Sequence, residues 1–190
     1  MRAGYSLVEM VVVLAIFMLL CAVGAPSLKA YSVDAQLLGA GRQFKEQFLY
    51  ARSLAVRSSR ETAIRFESAG DETYFSVYED GNLNGVLAAE IASGTDARVR
   101  GPFLLTSGAP EVRVGINANV PAVPPDSGVL STADPIRFGR SNMISFSPIG
   151  TASPGSFYLA TRYEQAAVRV SPGTARVSLL LCRGGTWRER

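Results

Sequence analysis

The sequence predicts an α+β fold, a long N-terminal helix packed on an antiparallel β head, and three observations carry that prediction. Tyr5–Ala25 is an apolar run whose only charge is Glu9. From Ser27 to about Ser58 apolar residues recur at intervals of three and four, the period of a helix face. From Thr62 onward the pattern changes to short alternating runs separated by Gly, Pro, Asp and Asn, the signature of strands and turns.

The first element, YSLVEMVVVLAIFMLLCAVGA, has about the 20 residues that a helix needs to span a bilayer. A secretory signal peptide would pair a basic start with a shorter apolar stretch and a small-residue cleavage site after it. Here the unusual residues precede the run. Arg2 lies before it and Lys29 is the first basic residue after it, so charge alone orients the span only weakly. Pro26 removes a backbone donor and crowds the preceding turn, which predicts a helix kink or break there. Glu9 is the informative residue: a carboxylate in hydrocarbon costs roughly 2.5–3.5 kcal/mol or more unless paired. No Lys or Arg lies within one helical turn of it, so the nearest candidate cation is an amino terminus, its own or a neighbour's.

In the second element, Leu37, Gly41, Phe44, Phe48, Ala51 and Ala55 share one helical face, while Arg42, Lys45, Glu46 and Arg52 decorate the other. Gly39 and Gly41 each weaken the helix by up to about 1 kcal/mol. The predicted strands of the head are TAIRFE, TYFSVYE, EVRVGI, MISFS, SFYLA, AAVRVS and ARVSLLL, and Val120–Pro135 reads as a loop. The expected division is therefore a short leader at 1–4, a transmembrane helical half at 5–28, an amphipathic half at 29–60 and a β-rich head at 61–190.

The stretch GYSLVEMVVVLAIFMLLCAVGAPSLKAY resembles the class III leader and N-terminal helix of type IV prepilins and type II secretion pseudopilins. The resemblance implies a type IV pilin fold and a prepilin peptidase that cuts between Gly4 and Tyr5 and methylates Tyr5. It also implies an assembly role for Glu9, which would pair with the amine of an adjacent subunit. Tyr5 stands where that family usually has Phe, and Arg2 is the leader's one basic residue. QFLYARSLAVRSSRETAIRF and the closing ISFSPIGTASPGSFYLA and AAVRVSPGTARVSL are similar to GspH/FimT-type minor pilins and minor pseudopilins. That likeness implies a structural subunit that helps initiate or tip a type IV pilus or secretion pseudopilus. Its partners would be the prepilin peptidase, other pilins or pseudopilins through the N-terminal helix, and an inner-membrane assembly platform. It would be held single-pass in the bacterial inner membrane, N-terminus cytoplasmic and head periplasmic, before entering the filament.

Two features of the head invite binding roles. Asp80-Gly81-Asn82-Leu83-Asn84-Gly85 places oxygen side chains at alternate positions before a glycine, as calcium loops do. Position twelve would be Ile91, with Glu90 one residue early, so the candidate calcium ligands are Asp80, Asn82, Asn84 and Glu90. A plain Asn-Gly turn between strands explains the same residues. The second feature is the C-terminal hairpin, where a turn centred on Pro172-Gly173 would set Arg169 opposite Arg176. From Ser156 onward six Arg face two Glu, a net of +4 against +3 for the whole chain. Arg169, Arg176, Arg183 and Arg188 are the candidate DNA-binding residues, with a pilus-borne DNA receptor as the alternative function. Some minor pilins of this type use a basic Gly-Arg-x-Arg motif, whose first Arg is Thr174 here.

Catalysis has no visible machinery. The chain has no histidine, which removes the commonest general base and zinc ligand, and it carries no G-x-S-x-G, P-loop or Cys-rich metal spacing. No enzyme activity and, calcium aside, no cofactor is expected. Cys21 lies in the apolar run and Cys182 near the C-terminus, so no disulfide framework is expected.

Overall fold

The computed structural model describes residues 6–70 and 72–190, without the side chains of 23–27 and 30. Helix α1, Leu7–Ser58, is a single element of 52 residues. Its backbone stays helical through Pro26, so the proline ends neither half; one interior proline costs about 3 kcal/mol, which a helix of this length absorbs. The chain divides into two compact units after Ala35. In the first unit the large apolar side chains of the helix, Leu7 to Leu20 among them, are exposed. Among the described residues no helix is long and apolar enough to cross a membrane. The predicted span also includes Tyr5 and the side chains of 23–25, which lie outside the description.

The second unit holds the rest of α1 and all the strands, in two antiparallel sheets. The four-stranded sheet has the order β3-β2-β1-β6, built from β1 (Thr62–Ala69), β2 (Glu72–Glu79), β3 (Ala97–Leu104) and β6 (Met143–Phe146). Between β2 and β3 lies a short helix, α2 (Ala88–Ser93). The other sheet runs β10-β9-β8-β7-β4, from β10 (Thr186–Glu189), β9 (Val177–Arg183), β8 (Gln165–Val170) and β7 (Gly155–Ala160) to β4 (Arg113–Val114). β5 (Ile136–Arg137) pairs with the same edge of β7, at Phe157 and Ser156.

Every residue predicted on the apolar helix face, from Leu37 to Ala55, is buried. Phe44 and Phe48 join that face to both sheets, with ring centroids 5.1 Å from Phe75, 4.8 Å from Phe157 and 6.1 Å from Phe146. Gly41 lets the helix close on β9, because a methyl group there would lie 2.5 Å from a Leu179 methyl. The six-stranded sheet is covered on its other face too. Residues of the 116–130 connection, including Ile116, Val120, Val123 and Leu130, form a second cluster with Tyr158, Ala167 and Cys182. That two-sided burial explains why β7 and β8 read as nearly continuous small and apolar residues instead of alternating.

Candidate functional site

At the start of α1, Ser6 acts as the helix cap: its hydroxyl oxygen accepts the Val8 N–H at 3.3 Å and its carbonyl accepts the Met10 N–H at 3.2 Å. Glu9 then stands three residues after the cap, in the first turn. A carboxylate there is favoured by the helix dipole, and Ser6-x-x-Glu9 has the spacing of a capping box. Glu9 is exposed, and among the described residues no cation lies within ion-pair distance. Gly4 and Tyr5 lie outside the described residues.

The structure does bring Asp80, Asn82, Asn84 and Glu90 together. The Asp80 carboxylate accepts backbone N–H groups from Asn82 (3.0 Å), Leu83 (2.7 Å) and Gly85 (2.8 Å). Glu90 accepts the side-chain amides of Asn82 and Asn84 at 3.1 and 2.9 Å. Burial pushes the Asp80 carboxyl up, but the amides of Gly85, Asn82, Leu83 and Asn84 together outweigh it and hold it below the usual carboxylate range. A residue missed in the sequence completes the set: buried Asp96 accepts the N–H of Gly81 (3.1 Å) and of Leu87 (2.8 Å). Among the described residues no group of three or more His, Cys, Asp or Glu side chains is placed to hold a metal ion. The connection is also more than an Asn-Gly turn, since α2 intervenes before β3. These bonds order the 80–96 loop.

The C-terminal hairpin differs from expectation. Its four-residue loop is Pro172–Ala175, closed by Ser171 N–H to Arg176 carbonyl at 3.0 Å, one residue later than a turn centred on Pro172-Gly173. Arg169 therefore faces Ser178, not Arg176. Ala175, with φ 48°, takes the left-handed position that moves the centre. The shift preserves parity, so Val168, Val170, Val177, Leu179 and Leu181 share one buried face.

The arginines proposed for DNA are largely engaged. Arg169 pairs with Asp126 at 3.2 Å and donates to the carbonyls of Val123 (3.1 Å) and Pro124 (2.8 Å). Arg176 holds Glu189 at 2.8 Å and Arg183 holds Glu164 at 2.7 Å. Ser178 and Arg176, in that order, depress the Glu189 carboxyl pKa. Arg188 is exposed on β10. Three of the four candidate arginines therefore already face a carboxylate of the same chain. Arg169 instead shares with Trp187 and Arg137 the task of holding the 120–135 loop: Trp187 Nε1 donates to the Pro121 carbonyl at 2.9 Å. Arg137 donates to the carbonyls of Asp134 (3.1 Å) and Ser131 (3.2 Å).

Comparison with known proteins returned two family matches. Residues 40–174 match the family described as type II transport protein GspH, and residues 1–25 match the prokaryotic N-terminal methylation motif. Neither a curated protein nor a solved structure matched the chain. The matched segments take in the N-terminal motif and most of the head, and the chain belongs to the type II transport protein GspH family, a family of pilin-like structural subunits.

Proposed function

We propose that this GspH-family subunit is made as a prepilin, cut between Gly4 and Tyr5, methylated on Tyr5, and built into a filament as a minor pseudopilin or minor pilin that helps initiate or tip it. The observation that carries the reading is the N-terminal methylation motif over residues 1–25 together with Glu9 inside it. The filament is a type II secretion pseudopilus or a type IV pilus. Residues 5–28 form the membrane-held half of α1 before assembly, with the head on the periplasmic side. Glu9 gains the amine of an adjacent subunit, which relieves a carboxylate that hydrocarbon would otherwise penalise by roughly 2.5–3.5 kcal/mol. Glu9 follows Tyr5 by four residues in the sequence, so one subunit can present an amine to one neighbour and an acid to another.

Mass spectrometry of the protein purified from cells with an active prepilin peptidase tests this. The expected mature chain has 186 residues, 190 minus 4, and begins with N-methyl-Tyr5. An intact Met1 in such cells refutes the reading.

A further inference from the structure

A groove of about 610 Å³ opens on the outer face of the six-stranded sheet. A row of paired residues crosses its floor: Arg137 on β5 faces Ser156 on β7, Ser156 faces Arg169 on β8, and Arg169 faces Ser178 on β9. All four line the groove. Neighbouring strands lie about 4.8 Å apart, so the two arginines sit on the order of 10 Å apart with a serine between them. Tyr158 lies two residues along β7 from Ser156, and the Arg137 guanidinium stands 5.5 Å from its ring centroid.

One arginine of this row is held differently from its neighbours. Asp126 serves Arg169 and Glu189 serves Arg176. Arg137 has carbonyl partners for Nε and Nη2, but among the described residues no carboxylate lies within ion-pair distance of it. Carbonyls fix a guanidinium without neutralising it, so Arg137 stays without a carboxylate of its own in a groove whose lining carries two arginines and two carboxylates. The walls carry Pro124, Pro125, Pro154 and Pro172, and Leu180 is at hand on β9, surfaces that take aliphatic groups.

We propose that this groove binds an extended peptide segment of another protein that places one carboxylate on Arg137 and small apolar side chains against the prolines. A single guanidinium that has carbonyl but no carboxylate partners suits a single acid. A polyphosphate backbone would meet the carboxylates of Asp126 and Glu189, which line the same groove, and lose by repulsion. The site is separate from the N-terminal assembly chemistry, so either can fail alone.

The test is fluorescence anisotropy with the full chain in neutral detergent and the probe fluorescein-Ala-Val-Glu-Val-Ala-amide. Saturable binding is expected, about tenfold weaker for Arg137→Gln, the loss of roughly one charge-assisted bond. Ser156→Asp places a carboxylate between the two arginines and should weaken binding at least as much while satisfying the row internally, so it carries the test if Arg137→Gln fails to fold. Arg183→Gln, outside the groove, should bind as the native protein does. The proposal is overturned by no saturable binding, by equal binding of a probe with Gln in place of Glu, or by unchanged affinity in both groove variants. It is also overturned if equimolar inorganic phosphate displaces the probe, which marks a simple anion site, or if a thymidine oligonucleotide binds more tightly, which marks a nucleic-acid site.

Discussion

Phe44→Ala should be the most damaging single truncation of the head, because this side chain alone touches rings of both sheets and of its own helix. It is 1% exposed, with Phe157 and Phe75 at 4.8 and 5.1 Å and Phe48 and Phe66 each at 6.3 Å. Burial of a phenylalanine contributes about 1.5–3 kcal/mol by transfer, and the closest aromatic pairs add about 0.5–1.5 kcal/mol each. The four surrounding rings belong to separate elements and cannot collapse together into the space, so the loss should fall near the upper part of the usual 3–5 kcal/mol range, about 4 kcal/mol. That is a large share of the roughly 5–15 kcal/mol stability of a domain. Urea unfolding of the full chain in neutral detergent, followed through the single tryptophan, Trp187, reads the change as a shifted midpoint at constant slope. Phe103→Ala provides the contrast, since Phe103 is 40% exposed on edge strand β3, with the Phe75 ring at 5.4 Å. A loss below about 1.5 kcal/mol for Phe44→Ala, or an equal loss for Phe103→Ala, would refute the idea that the helix is pinned through this ring cluster.

Two further changes test the loop and the helix. Asp80 has a carboxyl pKa held below the usual range, so its contribution is complete above about pH 4 and is lost as pH falls through the lowered folded value. Asp80→Asn should lower stability at pH 7 by about 1–3 kcal/mol and flatten the acid limb of melting temperature against pH; parallel curves for the two proteins would count against it. Gly39→Ala and Gly41→Ala, two residues apart on α1, should move thermal stability in opposite directions. Nothing lies within 4 Å of a methyl group at Gly39, so alanine there gains up to about 1 kcal/mol of helix propensity. At Gly41 that gain is outweighed by crowding of Leu179, which costs about 1–3 kcal/mol; two shifts of the same sign would show that β9 yields to the helix.

The parts of the fold that were legible in the sequence are those whose signal is local and periodic. The helix face from Leu37 to Ala55 has a period of three and four, and all six residues named on it are buried. β1, β2 and β6 to β9 also lie where short apolar runs bounded by turn residues placed them. β3 escaped because ARVRGPFL is an edge strand with five of its eight residues exposed and a Gly-Pro in its middle, so it lacks a buried alternating face. β5 has two residues and α2 six, too few for any period to be read. The site was harder. Asp126, Glu189 and Glu164 lie 43, 13 and 19 residues from the arginines they serve, and no spacing rule reaches that far. The basic tail could therefore be counted but not matched to its carboxylates. Asp80 stood out in the sequence as a candidate calcium ligand and in the structure accepts the loop's backbone amides, whereas Asp96, its counterpart at the far end of the connection, has no motif to mark it.

The same long-range bonds bear on how the groove works. Gln165, 2% exposed, accepts the Asn117 N–H at 2.8 Å and donates to the carbonyls of Gly115 and Leu159 at 2.9 and 2.8 Å. With Trp187, Arg137 and Arg169 it ties the 115–135 connection to the sheet at four places before any ligand arrives. Binding usually costs about 0.5–1.5 kcal/mol for each flexible side chain that must be ordered, and here the loop carbonyls have already fixed both guanidiniums. A peptide entering the groove would keep most of its contact energy, so a short segment could suffice where a mobile surface would need a larger one. Removing Arg137 then deletes a contact without freeing the wall, because Asp126, Val123 and Pro124 remain held by Arg169. The loss should accordingly fall on the dissociation rate, with association little changed. A slower association instead would mean that the long connection needs Arg137 to stay closed, and that the groove is formed by its occupant.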